Sequence, residues 1–441
     1  MMNEFVSRRK YLTRTATLAA FGATAASAAL ASAGEAQPKS DLSDLPVGWK
    51  LNRVLVTPEG PDDGGDFGPR TPGTRTSGLQ EALDAAKAEI KDVYICGGSW
   101  TTDLNQPIVY VLGETLRVPW MQDFRLESGH CVIHHAARSG DAVVIDSQMS
   151  CAYRFGLIVT VSDGAVVRFA PTTAGPDRFR VITSTDFHFN ALVGGGGAWP
   201  GGEAYDSKLN TKHRWIGTGL WLDGNAGTID GNRIIVNEIV GCERGIHLSG
   251  ATTHNSIEAT LVHLCQNHVQ IGDEDDTTPH DNRIQAHLES EGIADAAGAR
   301  VFGHDNYLDL TFGRMAAGRD VVFERSAESN LVQGMRFPQG ITNRADVPTN
   351  RVIANTLVNL PTETPAVPTS GESVTNRNPF AVEVRITTAG NVARWSETPH
   401  AGEQLMFDGG FHSGQIFTLN PGDRLTLEYD DPPAWVWKGI C

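Results

Sequence analysis

The sequence predicts an all-β chain wound as a parallel β-helix, and two observations carry that reading. A phrase opening with asparagine recurs as NRIIV, NSIEA, NRIQA, NYLDL, NLVQG and NRVIA, starting at Asn232, Asn255, Asn282, Asn306, Asn330 and Asn350, with spacings of 20 to 27 residues. A period of this size marks a solenoid, whose units cannot bury their apolar faces alone and must stack. Between the asparagines a second phrase recurs: GLWLDG at Gly219, GIHLSG at Gly245, HVQIGD at His268, ARVFGH at Ala299 and DVVFER at Asp320. Both phrases alternate with period two, so each repeat holds two strands and no helix.

In chain order, residues 1–33 read as an export signal outside the fold. Ser7-Arg8-Arg9-Lys10-Tyr11-Leu12 is a twin-arginine signature, followed by an alanine-rich apolar stretch and a small-residue exit at Ala31-Ser32-Ala33. The stretch is too short and too weakly apolar for a stable membrane span. The expectation is a cleaved leader, no membrane span after processing, and a secreted or cell-surface protein exported already folded. Residues 34–65, rich in Pro, Gly and Asp, read as a linker apart from a strand at Val54-Leu55-Val56.

The β-helix domain is assigned to residues 66–358. It opens with an Asp66-Phe67-Gly68 turn, then Gly78-Leu79-Gln80-Glu81-Ala82-Leu83-Asp84-Ala85-Ala86, helical in period and propensity, then a Val93-Tyr94-Ile95 strand. This succession resembles the start of pectate-lyase-like right-handed parallel β-helix proteins. The resemblance implies that the short helix plugs one open end of the stack, which otherwise exposes apolar interior and unpaired strand edge. It specifies architecture better than activity, because the superfamily spans polysaccharide lyases, glycosidases, epimerases and tailspike-like proteins. Polygalacturonase signatures are missing: Gly272-Asp273 has no Asn-Thr-Asp before it and no Gly-His-Gly after it.

Residues 359–377 form a proline-threonine linker. Residues 378–441 then alternate cleanly, as in Ala381-Val382-Glu383-Val384-Arg385-Ile386 and Arg424-Leu425-Thr426-Leu427-Glu428-Tyr429, and predict a small C-terminal β-sandwich module. Its ending resembles modules that terminate some phage tail proteins, and the same analogy implies a homotrimer.

Loss of residues 1–33 removes one acid and four bases and moves the formal charge from −16 to −19. Such an acidic chain lacks the basic footprint that nucleic-acid binding needs. The six cysteines permit disulfides in an exported protein, and Cys242 and Cys265, one repeat apart, fit either a bridge or stacked buried thiols. No Cys/His spacing suggests zinc. The repeated asparagines read as structural: an amide at each bend can bond the amides one coil above and below at ~4.8 Å, and asparagine tolerates left-handed corners.

Counting from each asparagine, the second and fourth following residues point inward, as with Ile257 and Ala259, Ile284 and Ala286, Leu308 and Leu310. The outward residues of three consecutive repeats are then Ser256, Glu258, Thr260; Arg283, Gln285, His287; and Tyr307, Asp309, Thr311. Glu258 and Asp309 share a column two coils apart, ~10 Å along the stack, near the separation of the acid and base of an inverting glycosidase. His287 falls between them, with Arg283, Gln285 and Tyr307 as substrate contacts and Glu289 and Glu291 as rival carboxylates. His247 and Gln270, below Trp221, outline an alternative groove. An interruption at 194–217 supplies Trp199, Lys212, Arg214 and Trp215, cations and rings suited to a charged sugar.

Two mechanisms fit: hydrolysis by Glu258 and Asp309, or β-elimination with His287, Tyr307, Arg283 or Lys212 as base and charge stabiliser. No cofactor is required, although the acidic run Asp273, Asp275 and Asp276 offers a Ca2+ position. The expectation is an exported enzyme cleaving an acidic polysaccharide; the alternative is a non-catalytic, adhesive glycan-binding protein.

Overall fold

A computed structural model describes residues 52–97, 108–175, 179–194, 215–290, 296–313, 318–354, 360 and 362–440. The export signal, Trp199, Lys212, Arg214 and Glu291 lie outside the described residues. The chain divides into two compact units, residues 1–266 and 267–441.

In the first unit one parallel sheet runs Arg53–Val56, Asp92–Ile95, Arg125–Ser128, Ala152–Thr160, Asp186–Val193, Arg233–Val240 and Ser256–His263. A second parallel sheet runs Leu116–Val118, Val143–Ile145, Ala165–Phe169, Thr218–Asp230 and Arg244–Thr253. From Asp186 onward, described strands alternate between the sheets in chain order, so each pass from one sheet to the other and back makes a coil. Arg53–Val56 falls within the stretch expected as a linker; its Val54, Leu55 and Val56 are buried, and pairing with Asp92–Ile95 makes it part of the stack.

The helix forms at Leu79–Glu89 and buries Leu79, Ala82, Leu83 and Ala86 against the strands Arg53–Val56, Asp92–Ile95 and Leu116–Val118. Its N-terminus is served from upstream, where the Thr76 hydroxyl accepts the Gln80 N–H at 3.1 Å. Gly78 takes φ 81°, and a Cβ there would lie 2.4 Å from the Gly68 nitrogen, so both conformation and packing require glycine.

In-register stacking brings like side chains together inside the coil. Tyr153 stacks on Phe187 at 5.1 Å and Phe155 on Phe189 at 5.5 Å, with Phe169 at 4.4 Å from Phe187. These rings are essentially fully buried and supply the largest apolar burial in this part of the core.

The second unit repeats the plan with Arg283–Glu289, Tyr307–Phe312, Leu331–Gly334 and Arg351–Ala354 in one parallel sheet. Asn267–Ile271, Ala296–Val301, Gly318–Phe323 and Ile341–Asn343 form the other. The predicted inward residues Ile284, Ala286, Leu308 and Leu310 are buried here, as Ile257 and Ala259 are in the first unit.

The asparagines form ladders within each unit. Asn282, Asn306 and Asn330 donate through Nδ2 to the Oδ1 of Asn306, Asn330 and Asn350 at 3.1, 3.2 and 3.0 Å. Each acceptor oxygen also takes the backbone N–H of the residue below, so one amide satisfies two buried donors. Asn232 and Asn255 are joined likewise at 2.9 Å. The left-handed corner was expected at asparagine but falls one residue earlier, at Gly231, His254, Asp281, Asp305 and Ser329, with φ from 53° to 66°. The asparagine thus sits between the corner and the strand, which aims its amide along the stack.

The C-terminal module forms two antiparallel sheets. One is ordered Ser373–Thr375, Arg424–Asp431, Asn391–Thr398, Leu405–Asp408; the other is Ile416–Leu419, Ala381–Thr388, Ala434–Ile440. The stretch expected as a linker contributes to it: Ser373–Thr375 is an edge strand, and the Pro365 and Pro368 carbonyls accept from Trp435 and Tyr429. Proline leaves its carbonyl free to accept, so a proline-rich segment can still pack.

Candidate functional site

On the outer face of the first sheet in the first unit, register builds a column that crosses five strands. Glu127 pairs with Arg154, Arg154 with His188, His188 with Ile235 and Ile235 with Glu258. The neighbouring outward column is Arg125, Ala152, Asp186, Arg233 and Ser256. The inward rings force this exposure, because Tyr153 and Phe155 point into the core and so turn Arg154 out, as Phe187 and Phe189 turn out His188. The two columns bound a groove of about 270 Å³ lined by Arg125, Glu127, Arg154, Asp186, His188 and Arg233, with Ile235 at one side.

Its electrostatics are mixed but ordered. Partial burial, then the Arg154 and Arg233 guanidiniums, hold the His188 imidazole below its ordinary pKa, and Glu258 opposes them. His188 is thus neutral at neutral pH, and among the described residues no group hydrogen-bonds its ring. Glu127 is shared with Arg53 at 3.8 Å. Arg125, Arg154 and Arg233 are exposed on the groove's walls.

In the second unit, His287 is tied at both nitrogens: Nδ1 lies 2.8 Å from the Thr311 hydroxyl and Nε2 lies 3.1 Å from Glu289 Oε1. Gly313 leaves room for that carboxylate, since a Cβ there would lie 2.4 Å from Glu289 Oε1. The Arg283 guanidinium sits 5.5 Å from the Tyr307 ring centroid, and the Tyr307 hydroxyl donates to Gln333 at 3.0 Å. Gln285, Asp309 and Gln333 form one outward column. The structure therefore brings together Arg283, Gln285, His287, Tyr307 and Asp309 on one sheet face. Glu258 is exposed on the first unit's face, near His188.

His247 departs from its expected place on an open groove. It is 1% exposed and stacks on Trp221 at 5.6 Å, while Arg168 lies 4.2 Å from the Trp221 ring and bonds Asp223. A sheet face that carries a closed ring-and-guanidinium stack is covered, so outward register alone does not give access. Gln270 is likewise buried and donates to the Gly272 carbonyl at 3.0 Å. Trp215 is half-buried.

The acidic run makes a tight turn: Asp273 and Asp276 exchange backbone hydrogen bonds at 2.9 and 3.1 Å, and Asp276 Oδ1 accepts the Thr278 N–H. Among the described residues no three His, Cys, Asp or Glu side chains converge as a metal-binding group. Nor is any helix among them long and apolar enough to cross a membrane.

Sequence reasoning missed Arg125, Glu127, Arg154, His188 and Arg233. The coils before Asn232 lack the marker residue: Thr185, just after the Ser184 corner, takes the asparagine's place, its N–H donating to Asn232 Oδ1 at 3.2 Å and its hydroxyl accepting the Cys151 N–H at 3.3 Å. The available signal was the aromatic alternation at Tyr153-x-Phe155 and Phe187-x-Phe189.

No protein-family model matches this chain, and no curated protein matches it significantly.

Proposed function

We propose that this chain is a pectate-lyase-like, exported enzyme that cleaves an acidic polysaccharide by β-elimination in the Arg154–His188–Arg233 groove. The observation that carries the reading is a neutral imidazole with unbonded nitrogens, set between two guanidiniums on a groove floor. Arg154 or Arg233 pairs with a uronate carboxylate through two parallel N–H···O bonds, which draws charge from the adjacent carbon and acidifies its proton. His188 takes that proton as general base. The C–O bond to the leaving sugar then breaks as the C=C bond forms, and the departing oxygen receives a proton from water. His287, bonded at both nitrogens, is less suited to the same task.

The test is incubation of purified protein with uronate-bearing and neutral polysaccharides. Elimination gives new ultraviolet absorbance from the unsaturated uronate, and His188→Gln should lower its rate by about 100-fold or more. Arg154→Gln and Arg233→Gln should raise KM. Because His188 titrates below its ordinary value, the acid limb of the rate profile should lie below about pH 6.5. Full activity in His188→Gln rejects this assignment. New reducing ends without absorbance mean hydrolysis, for which Glu258 and Asp309 are the first carboxylates to substitute. Glycan binding without cleavage supports the adhesive alternative.

A further inference from the structure

Among the described residues the strand Leu405–Asp408 is the outermost member of its sheet and pairs on one side only, with Asn391–Thr398. Edge strands are ordinarily blunted with lysine, proline, bulges or a covering segment, because a bare edge templates another strand. This one is short and ends in a charge at Asp408, but Leu405, Met406 and Phe407 carry no lysine, proline or bulge. All four residues are exposed, Leu405 and Met406 at 52% and Phe407 at 37%. The opposite edge, Ser373–Thr375, is Ser-Val-Thr and offers little apolar surface.

The open edge has a definite pattern of donors and acceptors. The Gly409 N–H donates to the Ala393 carbonyl at 3.2 Å, one step beyond the Arg394–Asp408 pair. Antiparallel alternation then turns the backbone groups of Phe407 and Leu405 toward Asn391–Thr398, and those of Gln404, Met406 and Asp408 toward the open side.

We propose that this edge is a self-association surface, on which a second copy of the chain adds Leu405–Asp408 antiparallel to its own about a two-fold axis through Met406. Centred there, Met406 faces Met406 of the other copy as a hydrogen-bonded pair, exchanging both N–H···O bonds. Gln404 faces Asp408 on either side of the axis; Gln404 Nε2 donates to Ser396 at 2.7 Å and Asp408 Oδ1 accepts from Arg394 at 3.0 Å, which leaves the second amide hydrogen and Oδ2 to meet across the axis. Leu405 faces Phe407 as a close, non-hydrogen-bonded pair, and Phe407 already stacks on Trp395 at 4.0 Å and 14°. One short segment thus matches itself in backbone bonding, apolar contact and side-chain hydrogen bonding, which is what an isologous interface requires. The occupant is a second copy because the complementarity is of the strand with its own reverse.

Sedimentation equilibrium of the full mature chain should show a monomer–dimer equilibrium. Met406→Lys, which sets two ammonium groups face to face on the axis, should weaken it at least tenfold while leaving the melting temperature of the monomer unchanged. Independently, Met406→Cys should cross-link into a covalent dimer under mild oxidation, since paired Cα atoms at a hydrogen-bonded position lie ~5.5 Å apart. A cysteine at the exposed Thr418, in the other sheet, should not. A protein that is monomeric at every concentration overturns the proposal. So does a trimer, or a dimer that Met406→Lys leaves intact and Met406→Cys fails to trap.

Discussion

Asp320 shows what a single buried group contributes. It is fully buried; Oδ2 accepts the Gln339 and Gly340 N–H groups at 2.6 and 3.0 Å, while Oδ1 has no partner among the described residues. Burial raises its pKa to about 6 against those two hydrogen bonds. A carboxyl raised in the folded state contributes stability that is present below its unfolded value and is lost as pH rises through about 6. Each tenfold difference in proton affinity between the folded and unfolded chain is worth about 1.4 kcal/mol. Asp320→Asn should therefore gain melting temperature relative to the parent between pH 4.5 and pH 7.5. An unchanged difference across that range would mean the carboxyl ionises as easily folded as unfolded. His188 shows the opposite sign: there burial acts on a base and lowers its pKa, which favours the neutral imidazole.

At the scale of the element, the asparagine ladder is the device that holds coils in register. Removing the Asn306 amide leaves two donors of Asn282 without their acceptor and deprives Asn330 Oδ1 of a side-chain donor, all in buried surroundings. Each orphaned buried group costs about 1–3 kcal/mol. Asn306→Ala should accordingly destabilise by several kcal/mol in urea titration. Asn350→Ala should cost less, because it removes the acceptor of Asn330 and a donor to the Ala327 carbonyl but, among the described residues, no donor to a further asparagine. Equal losses at both positions would argue against a ladder acting through stacked amides. The cysteines obey the same stacking: Cys242 and Cys265 are fully buried free thiols that follow paired strands by the same offset, each donating to the carbonyl two residues before it.

At the scale of the molecule, stability depends on keeping certain bases neutral. His134 and His135 are 5% and 0% exposed, and burial holds both below their ordinary pKa. The His134 ring nitrogens and His135 Nε2 have no hydrogen-bond partner among the described residues, and His134 pairs in register with Val111 and Val159. A base depressed in the folded state contributes stability that is full above about pH 6.5 and is lost as pH falls below it. The parent should lose melting temperature from pH 7.5 to pH 5 on this account, against the opposing effect of Asp320. His134→Leu, which suits its valine neighbours, should lose less over the same interval. If both proteins respond equally to acid, His134 carries no share of that sensitivity.

What the residues alone determined was whatever repeats. Alternation placed Ile257, Ile284 and Leu308 inside and Glu258, Arg283 and Asp309 outside, and the spaced asparagines marked where each strand begins, one residue after the corner, because a stack in register makes every coil obey one local rule. What only the tertiary structure decided was where that rule runs without its marker and which outward positions water reaches. Thr185 carries the ladder on by a hydroxyl, so the coils bearing Arg154 and His188 had no recurring letter to announce them. His247 sits at an outward position yet is sealed by the in-register Trp221 ring, because access depends on the size and stacking of the side chains on neighbouring coils and not on the direction of the residue alone.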